Sequence, residues 1–343
     1  HSDPLAAYAY RWLGGIIPRR TIDRLFGWFW SHLRGLGQMF DVVVCANGEF
    51  ACRLADGGVA NVETLRMGVE TGLFSPALRS PEVREEALRA LGLGRSATLL
   101  VGIGRLASEK RWDMVLRAVA EAGRRNDIGL LLIGDGVKRP KLELMAQRIG
   151  RAAVLPRIGD RSGLARFLAS ADALVHGCEA ETFCMVAAEA RASGIPLIVP
   201  DRGAAIDQLV AGAGASYRAA SERSLEQAIC RFIDHGPEFQ RAAAVRASRV
   251  RTIDDHFSEL FARYEMLSPR PAAHWDATFL ETPDVSTPAK TWVLHLGDSF
   301  LDVPRSEPFY KKIETIFHNR LTVGCTVTTY CPTDKVPRSQ MAI

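Results

Sequence analysis

Between Asp41 and Tyr217, short runs of β-branched or leucine-rich residues alternate with longer stretches of helical period. No other feature restricts the fold as strongly. Strand, helix and strand in unbroken succession is the text of a parallel sheet covered by helices and joined by right-handed crossovers. Strands are predicted over 42–45, 98–103, 128–133, 152–155, 173–175 and 196–199, and helices over 112–122, 139–147, 162–169, 183–192 and 205–210. In such sheets ligands bind beyond the carboxyl ends of the strands, so the loops opening at Gly102, Gly134, Ile158, His176 and Pro200 are expected to share one rim.

The chain has 343 residues, enough for two domains at about 150 residues each. With 47% hydrophobic and 24% charged residues it is an ordinary globular composition, and 29 Gly with 17 Pro are too few for a fibrous or low-complexity chain. The 43 Lys and Arg against 39 Asp and Glu leave +4, which nominates no nucleic acid but suits a small anionic ligand. Cysteines stand at 45, 52, 178, 184, 230, 325 and 331 with no Cys-x-x-Cys or Cys-x-x-His spacing. This argues against a zinc site or a thioredoxin-type pair and for a reducing, cytoplasmic setting. The apolar run 128–134 is strand-sized, far short of the roughly 18 residues that span a bilayer. No charged-then-apolar leader opens the chain. It begins at His1 without Met and enters helical text at once, so a preceding N-terminal region is expected to be missing.

The flanks read differently. The 11–34 segment interleaves Arg11, Arg19, Arg20, Arg24 and Arg34 with Trp12, Phe26, Trp28, Phe29 and Trp30. A basic, aromatic helix either lies on an anionic membrane surface, which would make the protein peripheral at the inner face of the membrane, or packs its rings on a domain core. Both readings stay open at this point. A long helical stretch is predicted over 238–266, after which Pro269, Pro271, Pro283 and Pro288 mark a linker.

Two constellations on the rim carry chemistry. The first runs Gly102-Ile103-Gly104-Arg105-Leu106-Ala107-Ser108-Glu109-Lys110, between a strand and the helix opening near Trp112. Glycines let backbone approach a ligand, and Arg105 and Lys110 set two cations beside a helix N-terminus whose free N–H groups already favour an anion such as a diphosphate. The alternative is a solvated turn with two surface cations. The second runs from His176 through Glu181-Thr182-Phe183-Cys184-Met185 to Glu189. Glu189 lies two turns inside a helix among Val186, Ala187, Ala188, Ala190 and Ala192, and a carboxylate in such company needs a partner, for which paired sugar hydroxyls are suited. The alternative makes Glu181 an N-terminal cap and Glu189 an exposed helix charge.

Gly104-Arg105-Leu106 with Glu109-Lys110, then Ile133-Gly134-Asp135-Gly136, then Ala171-Asp172-Ala173, then Glu181-Thr182-Phe183 with seven residues between Glu181 and Glu189, resemble the ordered motifs of retaining family-4 glycosyltransferases of GT-B fold. Upstream, Asp41-Val42-Val43-Val44 and Gly68-Val69-Glu70 with Phe74 and Pro76 are similar to that family's last N-terminal-domain strand and interdomain linker. The similarity covers roughly residues 1–265. It implies that Arg105 and Lys110, following the turn at Gly104, hold the diphosphate of a nucleotide sugar and neutralise the departing nucleoside diphosphate. By the same resemblance Glu189 would bind the ribose hydroxyls and Glu181 the hydroxyls of the donor sugar. The backbone N–H groups of Cys184 and Met185, after Phe183, would meet sugar or phosphate oxygens. Ile158 and Gly159 would face the base. Leaving-group stabilisation by fixed charges and dipoles demands no metal.

The sequence departs from the family in two places. Cys184 stands where the family usually has Gly, so a side chain there is expected to narrow the sugar subsite or to require a backbone adjustment. His1-Ser2-Asp3-Pro4 resembles the segment that carries the family's His beside the reacting carbon. That makes His1 a catalytic candidate, while the glycine-rich loop that precedes this His in the family is not in the chain. His176 is expected to support its loop rather than to shuttle a proton. Near the C-terminus a strand followed by Gly297-Asp298-Ser299 is similar to the opening block of SGNH-type hydrolases, but no Asp-x-x-His follows to complete a Ser/His/Asp arrangement. A partial second domain or an irregular tail is the alternative there.

The expectation is therefore an α/β chain of GT-B type, with a Rossmann-like parallel-sheet donor domain. Residues 1–74 would be a partial acceptor-side domain and linker, 75–267 the nucleotide-sugar-binding domain with a C-terminal crossover helix, and 268–343 a Pro-rich linker and extension. The implied activity moves a hexose from a UDP- or GDP-sugar to a glycan or lipid-linked acceptor hydroxyl, mannosyl- or glucosyltransferase-like, with no cofactor beyond that substrate. A non-catalytic nucleotide-sugar-binding module and a hydrolase centred on Ser299 are the rival expectations.

Overall fold

Two helices, α1 (Arg19–Leu25) and α2 (Gly27–Gly37), open the described part of the chain. The computed structural model describes residues 16–70 and 72–267, with isolated positions at 9, 13, 300, 303, 304, 306, 313 and 330. His1, Arg11, Trp12, Ser299 and the prolines of 269–288 lie outside the described residues, as does the side chain of Arg19. β1 (Val43–Cys45), α3 (Gly48–Asp56) and β2 (Val62–Thr64) follow, β1 and β2 pairing in parallel. Ile22 and Trp30 pack here with Cys45, Ala51, Leu54 and Val59, so part of the aromatic N-terminal segment is core. Trp28 is 69% exposed and shares the outside with Leu25, Arg20 and Arg24.

After α4 (Pro81–Ala90), whose cap Ser80 accepts a hydrogen bond from Val83 N at 3.3 Å, the chain builds a doubly wound sheet. Its elements are β3 (Thr98–Ile103), α5 (Trp112–Ala122), β4 (Ile128–Ile133), α6 (Arg139–Ile149), β5 (Ala152–Leu155), α7 (Arg161–Ser170), β6 (Ala173–Val175), α8 (Met185–Ala192), β7 (Leu197–Pro200), β8 (Gly214–Tyr217) and α9 (Glu222–Asp234). The six strands run parallel in the order β5-β4-β3-β6-β7-β8. Period-two alternation splits the strand residues between two cores. Leu100, Leu130 and Leu132 face Trp112, Val119 and Phe232 on one side, while Val101, Ile133 and Leu174 face Leu168, Ala187 and Ala190 on the other. The chain builds outward from β3 to β5, then returns to lay β6 on the opposite side of β3. That reversal opens a crevice between the carboxyl ends of β3 and β6, where an open α/β sheet binds its ligands.

Several predicted boundaries move. The predicted 205–210 helix is a single 3₁₀ turn, Ile206–Gln208, and the helix expected from 183 begins at Met185. Strands β2 and β8 carry no clear period in so few residues and were not predicted. The predicted 238–266 helix is two helices, α10 (Pro237–Arg246) and α11 (Ile253–Leu267). Between them the backbone runs beside Val69, with Val69 N donating to Arg251 O at 2.9 Å and Ile253 N to Val69 O at 2.8 Å. Only glycine fits opposite, since a Cβ on Gly68 would lie 1.8 Å from Thr252 O. α11 restarts on a reciprocal cap: Asp255 N donates to Thr252 Oγ1 at 3.1 Å and Thr252 N to Asp255 Oδ2 at 2.9 Å. It then reaches the N-terminal segment, where the His256 ring bonds Arg66 O at 3.0 Å and Arg263 meets Glu63 at 3.3 Å.

The chain divides into two compact units, residues 1–271 and 272–343. In the second, the described positions Phe300, Val303 and Ile313 are buried together, with Tyr330 packed against them. No helix among the described residues is long and apolar enough to cross a membrane.

Candidate active site

The loop after β3 turns at Gly104, whose φ of +151° favours glycine. The loop after β4 buttresses it. Leu106 N donates to Asp135 O at 2.8 Å and Lys138 N to Leu106 O at 3.0 Å, and a Cβ on Gly134 would lie 1.9 Å from Gly104 O. The buried Trp112 indole donates to Arg105 O at 3.0 Å. The loop carrying both cations is therefore held by its backbone, which leaves the side chains free to act. Arg105 points outward, 63% exposed, with Nη2 2.7 Å from Glu109 Oε1. Lys110 turns inward and pairs with Glu181.

Glu181 comes from the loop after β6 and also lies 3.2 Å from His176 Nε2. Burial alone would raise its carboxyl, but His176 and Lys110 outweigh burial and hold it at about 2. Burial likewise works against the Lys110 ammonium, and Glu181 keeps its pKa above the usual lysine value. His176 is fully buried. Although burial opposes its charge, the sulfurs of Cys184 and Cys178 and the Glu181 carboxylate raise its pKa well above that of ordinary imidazole. Its backbone carbonyl accepts from Tyr217 Oη at 2.7 Å, which ties the residue after β6 to the end of β8. The ligand atoms of His176, Cys178 and Glu181 fall within 4.8 Å of one another, the only such grouping among the described residues. Lys110 on the same carboxylate makes it a poor divalent-cation site.

Glu181 does not cap the helix; Cys184 occupies that position, with φ +64° and ψ +67°. Cys184 thus holds a left-handed conformation that ordinarily favours glycine, with its side chain buried. Phe183 is buried beneath the loop, and Met185 begins α8. Glu189 is not an exposed helix charge, being 6% exposed. Its partner is Arg161, whose Nη2 lies 3.0 Å from Glu189 Oε1 and 3.2 Å from Glu70 Oε2. The guanidinium sits 5.2 Å from the Phe74 ring centroid. Burial raises the Glu189 carboxyl, and Arg161 only partly offsets it. Ile158 and Gly159 lie in the loop between β5 and α7, with open space where a Gly159 side chain would be.

Sequence reasoning missed four contributors. Arg161 looks like any helix-start residue, yet it joins Glu70 to Glu189. Arg111, left-handed at φ +52°, pairs with Glu179 through Nε at 2.8 Å and through a second contact, tying the loop after β3 to the loop after β6. Asn47 is buried before α3 and donates to Thr182 O, and Glu49 accepts from Gly203 N at 3.1 Å. An Asn after a strand signals a helix cap, but a partner so far along the chain leaves no local trace. The candidates Arg105, Lys110, Glu181 and Cys184 lie on the loops flanking the crevice, Met185 begins α8, and Glu189 lies inside that helix.

Residues 83–249 match the family model described as Glycosyl transferases group 1. A GDP-mannose-dependent alpha-mannosyltransferase of Mycobacterium tuberculosis is 32% identical over 174 residues, which is 51% of this chain and 43% of that protein. A GDP-mannose-dependent alpha-(1-6)-phosphatidylinositol dimannoside mannosyltransferase of the same species is 30% identical over 250 residues, 71% of this chain and 61% of that protein. The chain thus spans from 43% to 61% of the length of these two relatives. Among solved structures, sucrose-phosphate synthase of Thermosynechococcus elongatus superposes with TM-score 0.60 at 19% identity, over 77% of this chain and 66% of that one. Anabaena HepE in complex with UDP and glucose superposes with TM-score 0.57 at 17% identity, over 71% of this chain and 68% of that one.

Proposed function

Starting from a chain whose residues 83–249 belong to the glycosyl transferases group 1 family, we propose that it contributes the donor half of a retaining, family-4-type hexosyltransferase. The donor is a nucleoside diphosphate sugar, with GDP-mannose to be tried first because both mannosyltransferase relatives are named as GDP-mannose-dependent. The supporting observation is that Lys110, from the loop after β3, pairs with Glu181, from the loop that leads into α8 and its Glu189, while Arg105 stands exposed on the same loop as Lys110.

The two cations and the helix terminus stabilise charge developing on the departing diphosphate. Lys110 gives up part of its contact with Glu181 to a phosphate oxygen, and Glu181 then takes sugar hydroxyls. Glu189 exchanges Arg161 for the ribose hydroxyls. The acceptor hydroxyl enters on the face from which the diphosphate leaves, and a departing phosphate oxygen takes its proton. His1, the candidate beside the reacting carbon, belongs to the acceptor side of this proposal.

A thermal-shift titration with UDP, GDP, ADP and their sugar conjugates tests the reading. Saturable stabilisation by one nucleotide class is expected, and it should be lost in Glu189→Ala and in Arg105→Ala combined with Lys110→Ala. A folded chain that no nucleotide stabilises refutes it. The acceptor is proposed to be lipid or lipid-linked, because Trp28 and Leu25 stand exposed beside Arg20 and Arg24 on the N-terminal segment. Trp28→Ser should weaken binding to anionic liposomes, and equal binding removes this part of the proposal. Trp30 is unsuitable for that test because it is buried.

A further inference from the structure

We propose that Asn47 and Glu49, at the N-terminus of α3, are positioning residues that clamp the loop carrying Glu181. The positioning role rests on the donor-site reading above, while the contacts themselves do not.

Asn47 is buried, and its amide works at both ends. Its Oδ1 accepts from Phe50 N at 2.7 Å, which caps α3. With the oxygen facing a donor, the nitrogen is directed away, and Nδ2 donates to the carbonyl of Thr182. Ser, Thr, Asp and Asn all cap helices, but of these only Asn carries both an acceptor and a separate N–H donor with that reach. Thr182 lies between Glu181 and Phe183, so fixing its carbonyl fixes the plane of the peptide that leads out of the Glu181-Thr182 pair.

The neighbouring carbonyl is anchored as well, because Ala204 N donates to Glu181 O at 3.3 Å. The residue before Ala204 is Gly203, whose N donates to Glu49 Oε2 at 3.1 Å. Gly203 has φ +75°, and a Cβ there would sit 2.1 Å from Glu179 O, so the loop after β7 is pressed directly on the loop after β6. The contacts close a ring: Asn47 to Thr182, Glu181 to Ala204, Gly203 to Glu49, with Asn47 and Glu49 in one helical turn. The Glu181 carboxylate faces Lys110 from a backbone gripped at two successive carbonyls.

Asn47→Asp and Asn47→Ser separate the clamp from the cap, since both keep a capping oxygen and neither can donate to Thr182 O as the amide does. Ser221→Ala removes the unrelated cap of α9, where Ser221 Oγ accepts from Ser224 N at 3.3 Å, and serves as the control. In the full chain, amide hydrogen exchange over 179–186 should speed up in both Asn47 variants and not in the control. Affinity for the nucleoside diphosphate that stabilises the unsubstituted chain should fall about tenfold, the scale of one hydrogen bond. In the control it should stay within about twofold. Unchanged loop exchange and unchanged affinity in either folded Asn47 variant, against an unsubstituted chain that binds nucleotide, would overturn the clamp alone. Faster loop exchange in a chain that binds none of GDP, UDP or ADP would overturn the donor reading and the positioning role with it.

Discussion

Arg161 Nη2 lies 3.0 Å from Glu189 Oε1, so the buried carboxylate of α8 is already paired with a residue of the same rim. Burial raises the Glu189 carboxyl above 4.5 and Arg161 pulls it part of the way back. A raised carboxyl binds its proton more tightly in the folded than in the unfolded chain. Its contribution to stability is therefore greatest in acid and declines as pH climbs past 4.5. Removing Arg161 enlarges that decline. Arg161→Ala should destabilise the chain by about 1–2 kcal/mol at neutral pH, below the loss for a fully buried pair because Arg161 is half exposed. Urea denaturation should find a smaller loss at pH 5, and little pH dependence of the loss when Glu189→Gln is also present.

Glu181 behaves in the opposite sense. Its carboxyl is held at about 2 against an ordinary 4.5, a difference worth about 3 kcal/mol. A depressed carboxyl contributes stability above 4.5 and loses it as pH falls toward 2. Between those limits the unsubstituted chain should lose about 3 kcal/mol more than Glu181→Gln, followed as the urea midpoint against pH. Lys110→Met should shrink this difference, since Lys110 is one of the two groups that hold the carboxyl down.

Arg105 and Lys110 are alike in sequence but not in what their removal should do. Arg105 is mostly exposed with one pairing to Glu109, so Arg105→Ala should change stability by no more than about 0.5 kcal/mol. Its loss should still weaken nucleoside diphosphate binding about ten- to a hundredfold, since a charge-assisted contact to phosphate is among the strong ones. Lys110→Ala should damage both, because it takes from the buried Glu181 carboxylate one of its two charged partners. Calorimetric titration alongside denaturation separates the two effects.

The doubly wound sheet was legible because β3 and β4 are each six residues of almost wholly apolar text and the helices between them keep their period. β2 and β8 were not, being three and four residues long and partly exposed. The break between α10 and α11 was hidden for a different reason. The residues around Thr252 tolerate a helix, and only the pairing with Val69 draws them into extended backbone. For the site, Gly104, Arg105, Lys110, Glu181 and Glu189 could be picked out because motif and burial pattern agree within a few residues. Arg161, Arg111, Asn47 and Glu49 act on partners from other loops, and local sequence carries no record of such pairings.

Cys184 offers a test of whether the left-handed backbone is imposed by the loop. It holds φ +64° at the start of α8 while its side chain is buried beside His176, with Sγ 3.6 Å from Nε2. Glycine there would relieve the strain and lose the thiol; alanine would lose the thiol and keep the strain. Cys184→Gly should therefore be more stable than Cys184→Ala by about 1 kcal/mol. If the two variants unfold at the same denaturant concentration, the backbone at 184 relaxes when the sulfur is gone. The conformation would then follow from the Cys184–His176 contact rather than from the turn into α8.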